Sequence, residues 1–194
     1  MSKIVRSLAV TGLLALSACT AVSSAPAGPY KLGATQVTLG RQWSDVSAIT
    51  PNRVKQLRVL SIDGPLLNTL FLTAGLAPGD AMVRAPSKEK PTPKVRTGMT
   101  SAERMEFVTD SVAAMNYQRV ESARPRAARY GGQPAVRFDL SARTPAGLDV
   151  LGTALVAELE GKLYVILYLA PAEHYFQATL PEVEQVMGSA RPKA

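Results

Sequence analysis

One cysteine, one histidine and one tryptophan are all that these 194 residues contain of those types, and each scarcity removes a class of function. A lone thiol has no internal partner, so no disulfide framework holds this fold and its stability has to come from a packed core. One imidazole, one thiol and scattered acids such as Asp45, Asp63 and Asp80 do not make the clustered ligand set that a metal ion needs. Apolar runs are short as well. The most N-terminal one, Leu8 to Leu16, falls well below the roughly 20 apolar residues that span a bilayer.

What that short run does is set by its flanks. Lys3 and Arg6 precede it and the small residues Ser17 and Ala18 follow, the three zones of an export signal over residues 1–18. Leu16-Ser17-Ala18-Cys19 resembles the lipobox of bacterial lipoprotein precursors. That resemblance implies cleavage before Cys19 and a diacylglyceryl group on its sulfur, which makes Cys19 the lipid-attachment residue and accounts for the lone thiol; the alternative is an exported chain with a spare cysteine. Two or more acyl chains give stable anchoring where one is marginal. Thr20, where an aspartate would favour inner-membrane retention, implies by the same resemblance a periplasm-facing place on the outer membrane. Loss of Lys3 and Arg6 with the signal lowers the net charge from +7 to +5. In an envelope compartment that positive charge points to anionic lipid or an acidic protein surface and not to nucleic acid.

Residues 19–29, small, polar and proline-containing, read as a flexible tether, and residues 30–194 as one globular domain. "YKLGATQVTL" alternates like a strand. "QLRVLSIDGPLLNTLFLT" reads as a hairpin about Asp63-Gly64-Pro65. Four prolines and mixed charge in residues 77–98 predict a long mobile loop or a poorly ordered edge. Thr100-Ser101-Ala102-Glu103 has the capping-box pattern, and Met105, Val108, Val112 and Met115 recur on one helical face, predicting a helix over 101–116. Four strands over about 118–129, 134–142, 148–159 and 162–170 suit an antiparallel meander. In the last, Leu163, Val165, Leu167 and Leu169 face one way and Tyr164, Ile166 and Tyr168 the other, so both faces need cover. Thr179-Leu180-Pro181-Glu182 reads as the cap of a terminal helix. The fold class is therefore α+β, a single antiparallel β-sheet packed with helices.

Catalytic motifs are weak. His174 in "AEHYF" has no G-x-S-x-G nucleophile turn to serve and reads as a packing residue beside Tyr175 and Phe176. Ser87-Lys88-Glu89-Lys90 has S-x-x-K spacing but lies in the proline-rich loop without its partner motifs. Gly131-Gly132 leads into a strand pattern, which no phosphate-cradling loop does. Positive charge is more distinctive: Arg119, Arg124, Arg126 and Arg129 in one segment, and Arg84, Lys88, Lys90, Lys94 and Arg96 in the loop. Either group can bind an anionic partner, against the plainer reading of a solvated strand face and a solubilising loop. Pro125 marks the arginine segment as an edge strand.

The element order, with "GGQPAVRFDL", "LGTALVAELEGKLYVILYLA" and "HYFQATLPEVEQVMGSAR", resembles the fold shared by the photosystem II extrinsic P subunit and envelope lipoproteins of the DcrB type, over roughly residues 100–190. That resemblance implies a PsbP-like α/β/α sandwich serving binding or assembly. The expected function is a non-enzymatic, lipid-anchored interaction module of the envelope without a cofactor or metal. The alternative is a carrier or sensor that holds an apolar or amphiphilic ligand between sheet and helix.

Overall fold

The computed structural model describes residues 22–89 and 91–193. Cys19 with the rest of the lipobox, and Lys90 of the basic loop, lie outside the described residues. Among the described residues, eight strands form one antiparallel sheet: β1 (Ser23–Ala25), β4 (Trp43–Asp45), β5 (Leu57–Ser61), β6 (Thr69–Thr73), β10 (Lys162–Pro171), β9 (Asp149–Leu159), β8 (Gln133–Arg143) and β7 (Gln118–Tyr130), in that spatial order. The central strands are the apolar ones because they are covered on both faces. Period-two alternation sends Leu163, Val165, Leu167 and Leu169 of β10 into one core, and Tyr164, Ile166, Tyr168 and Ala170 into a second.

Helix α1 (Ser101–Ala114) covers the first of these faces through Phe107, Val108 and Val112. Its capping box forms as the sequence predicts: the Glu103 amide donates to Thr100 Oγ1 at 3.2 Å, and the Thr100 amide donates to Glu103 Oε2 at 2.8 Å. Helix α2 (Tyr175–Gly188) covers the other face with Phe176, Val183, Val186 and Met187. One helix per face is the α/β/α layering. No described helix is long and apolar enough to cross a membrane.

The start of α2 differs from expectation. It begins at Tyr175, and Thr179 is buried within it instead of capping it. The entry is a tight turn: His174 has φ 62 and ψ −64, and the Tyr175 amide donates to Glu173 O at 2.7 Å, a γ-turn of the strained hand. Pro181 lies inside the helix at an exposed position, downstream of the buried Phe176 and Thr179. Glu182, read as the reciprocal residue of a cap, instead accepts from the Gly40 amide at 2.8 Å and ties α2 to the chain ahead of β4.

Three further expectations are corrected. The sheet is not single: "YKLGATQVTL" is a hairpin of β2 (Gly28–Leu32) and β3 (Thr35–Leu39), with Gly33 at φ +55 in its turn. With β11 (Arg191–Pro192) it makes a three-stranded second sheet on the α2 side. The Tyr130 hydroxyl, which donates to Thr35 Oγ1 at 3.1 Å, and Thr35 Oγ1, which donates to Thr73 O at 2.6 Å, join the two sheets. Within the expected tether, Ser23–Ala25 pair with β4, and Ala25 is buried, because even three residues satisfy their backbone by adding to an open edge. The proline-rich segment is anchored as well as exposed: Met82, Val83, Val95 and Met99 are buried, the Val95 amide donates to Asp80 O at 2.8 Å, and Arg53 bridges to Val83. Its few apolar residues suffice because they fall at the open end of the α1-side core.

Candidate functional site

Helix α1 ends at Ala114, and a gap remains between its end and strands β5 and β6. Met115 caps it and Asn116, at φ 73, turns the chain away toward β7. The space left between the helix end and the sheet is a cleft of about 350 Å³, within the roughly 300–1,000 Å³ usual for ligand pockets. Leu57, Val59 and Phe71 form its floor, and Met115 and Tyr117 one wall. Burial pushes the Tyr117 phenol up from its ordinary value, as expected of a wall with little water. A second recess of about 650 Å³ continues past Pro86 and Asn116, sharing Pro51, Asn52, Ala114 and Met115 with the first. No charged residue is among the described residues that line either one.

Both rims are tied down by hydrogen bonds. The far rim is the 3-10 turn Ser47–Ile49 and the chain after it. The Ser47 amide donates to Asp45 Oδ1 and the Val59 amide to Ser47 Oγ, each at 2.9 Å. Arg53 clamps the segment by donating to Ser47 O, Val54 O and Leu57 O at 2.9, 3.1 and 3.0 Å. The end of the cleft is the β5–β6 turn, built around buried Asn68. Its Oδ1 accepts from the Ile62 amide at 2.8 Å, the Asp63 amide at 3.2 Å and the Ser61 hydroxyl at 3.0 Å, and its Nδ2 donates to Asp63 Oδ2 at 2.6 Å. This turn holds Leu66 out at 87 % exposure, with Ile49 at 46 % on the opposite rim. A leucine or isoleucine side chain left in water forgoes about 1.5–3 kcal/mol that burial would supply, so the pair is suited to contact with an apolar partner.

The basic residues fall into two separate groups. Arg119, Arg124, Arg126 and Arg129 are all exposed on the edge strand β7. Arg119 and Arg124, at φ 50 and 52, occupy the two places where its register against β8 shifts, so each is a bulge residue. Arg124 Nε and Arg126 Nη2 converge on Asp139, at 2.7 and 3.0 Å, and Arg129 donates to Gly132 O at 2.7 Å. Burial raises the Asp139 carboxyl, but hydrogen bonds from Arg126 and Arg124 outweigh it and leave the group below its ordinary value. Lys88 and Lys94 are exposed on the proline-rich segment, which packs on the α1 face, where Arg96 pairs with Glu103 at 2.8 Å. Arg126 instead pairs with Arg137, whose guanidinium reaches Glu184 of α2 at 2.9 Å. Arg126 is thus on the face opposite the loop group, whereas Arg129, which pairs with Pro134 two residues from Val136 of the α1-side core, alternates onto the α1 face.

His174 is exposed and packs edge-on to Tyr175, ring centroids 5.1 Å apart. Ser87 is an exposed loop residue and begins no helix. The rim residues Ile49 and Leu66 went unmarked in the sequence, although Leu66-Leu67, an apolar pair straight after a strong turn signal, is an anomaly that could have found one of them.

No family model matches the chain, and no curated protein matches it by sequence. Solved structures do. Mog1p, a Ran-binding protein of Saccharomyces cerevisiae, superposes with a TM-score of 0.51 at 9% identity, over 88% of this chain and 95% of that one. CyanoP, the cyanobacterial PsbP of Synechocystis sp., does so with a TM-score of 0.50 at 15% identity, over 96% of this chain and 99% of its own. LpqN of Mycobacterium tuberculosis, described as involved in cell envelope biogenesis, covers 89% of this chain and 92% of its own at 14% identity, but a TM-score of 0.37 is too low to bear on fold or role. What this chain shares with Mog1p and CyanoP is the fold, an antiparallel sheet with helices packed on it, of the PsbP-like kind that its sequence resembles.

Proposed function

We propose that this chain is a lipid-anchored, non-enzymatic binding module of the bacterial envelope, facing the periplasm from the outer membrane, and that the cleft beside the end of α1 is its working surface. The cleft carries this reading: it is largely apolar, open, hydrogen-bonded along both rims and bordered by two exposed large hydrophobic residues. The order Leu16-Ser17-Ala18-Cys19 supports the anchor, with residues 1–18 as the signal and Cys19 as the attachment point. Mog1p, a Ran-binding protein, supports the idea that this fold can serve binding. Photo-reactive side chains placed at Leu66, Lys88 and Arg126 in intact cells test the surface: adducts concentrated at Leu66 are expected, and a silent Leu66 beside a reactive Arg126 rejects the cleft. The anchor has its own test, since Cys19→Ala should move the protein from the membrane fraction to the soluble one.

A second reading has one observation in its favour. β7 is a 13-residue edge strand with four exposed arginines. On that reading Arg119, Arg124, Arg126 and Arg129, or Lys88, Lys90 and Lys94 of the loop, meet an anionic envelope partner, and adducts at Arg126 should fade as salt is raised.

A further inference from the structure

Large hydrophobic side chains that stand exposed among the described residues are Val22, Ile49, Leu66 and Leu148, and they are not scattered. Ile49 and Leu66 border the cleft. Leu148 is on a turn at the same end of the sheet as Leu66, because Thr69 pairs with Leu169 and Leu169 with Gly152. Val22 comes before Ser23, the partner of Asp45. Continuing that register brings it beside Val46, whose carbonyl accepts from the Ile49 amide at 3.1 Å, so Val22 lies within one turn of Ile49.

The chain ahead of Val22 therefore joins the fold beside the cleft. Cys19 is three residues before Val22, a link of at most about 11 Å when fully extended. An acylated Cys19 holds this rim within that reach of the membrane. The cleft also selects between occupants. β5 and β6 are interior strands with neighbours on both sides, so the floor offers no free backbone to a peptide, whose own N–H and C=O groups would enter an apolar recess unpaired. An alkyl chain needs no such partner. Outside the apolar lining, exposed Arg84, whose amide donates to Asn52 O at 2.7 Å, puts positive charge beside the mouth, where a phosphate headgroup would sit.

We propose that the cleft faces the bilayer and takes in an acyl chain of a membrane phospholipid, with Val22, Ile49 and Leu66 as the apolar rim that meets the membrane. This rests on the cleft being the working surface, as proposed above. The full-length protein, purified from membranes and reconstituted into vesicles of phosphatidylethanolamine and phosphatidylglycerol, is illuminated with a phosphatidylglycerol that carries a diazirine on one acyl chain, and adducts are mapped by mass spectrometry. Adducts at Phe71, Met115 or Tyr117 are expected. They should fall about ten-fold in Leu66→Asp, which removes one leucine's worth of apolar contact, and in Ala114→Phe, which fills the cleft, with urea midpoints used to confirm that both variants fold. Label confined to residues 1–22, Ile49 and Leu66 overturns the proposal, as does cleft labelling that ignores Ala114→Phe. A discrete protein adduct at Leu66 in cells, with no vesicle label inside the cleft, overturns the acyl chain but leaves the cleft as the working surface. Silence in both experiments removes both.

Discussion

Single residues carry the least expected features of this chain. His174, a catalytic candidate only by being the lone imidazole, is instead the pivot between β10 and α2, in a backbone conformation that L-residues rarely adopt. Strain of that kind costs on the order of 1–3 kcal/mol. His174→Gly should therefore raise stability by about 1 kcal/mol in urea unfolding and leave crosslinking at Leu66 unchanged; a loss of stability would show that the imidazole's packing on Tyr175 matters more than the strain. Asp139 gathers Arg124 and Arg126, and its carboxyl is held below the ordinary 3.8. A depressed carboxyl stabilises the fold above its unfolded value and ceases to do so as pH falls through the folded one. Asp139→Asn should cost about 0.5–1 kcal/mol at neutral pH, the scale of a solvent-screened pair, and nothing once the medium is acid enough to protonate the wild-type carboxyl. None of this was legible in the sequence: Asp139 is 13 and 15 residues from its two partners and meets them only across the β7–β8 ladder.

At the scale of elements, local signals fared according to how local their causes were. The helix at 101–114, its capping box and all four long strands were readable, because periodicity and caps act within a few residues. Thr100→Ala should lower stability by about 1 kcal/mol, seen as a shift in urea midpoint at unchanged slope. The second sheet was not readable, although Gly33 sits visibly between two alternating stretches, because β11 completes it from the far end of the chain. The start of α2 was misplaced for a related reason. Thr179 and Pro181 look like a helix start in isolation, whereas contact of Phe176 with Tyr168, ring centroids 5.7 Å apart, extends the helix upstream.

Over the whole molecule, one sheet separates two cores, and the core on the α2 side is rich in tyrosine. Burial, as the largest cause, pushes the phenols of Tyr30, Tyr130 and Tyr168 from 10.0 to about 12, with the Asp45 carboxylate adding to the rise at Tyr30. These groups stay neutral in the fold while the unfolded chain ionises. Stability should therefore hold up to the ordinary phenol value and fall steeply between pH 10 and about 12, and Tyr130→Phe should reduce that fall in alkaline urea titrations. By itself the sequence determined the α+β class, the long strands and the first helix, and it carries the lipobox-like motif at Cys19, because each of these is encoded by neighbours in the chain. Only the tertiary structure decided the cleft and the placing of Arg126 on the face opposite the basic loop. A cleft is the place where a helix end, a turn and a 3-10 segment fail to meet, and that failure depends on packing between residues as distant as Ile49 and Tyr117, which no local pattern records.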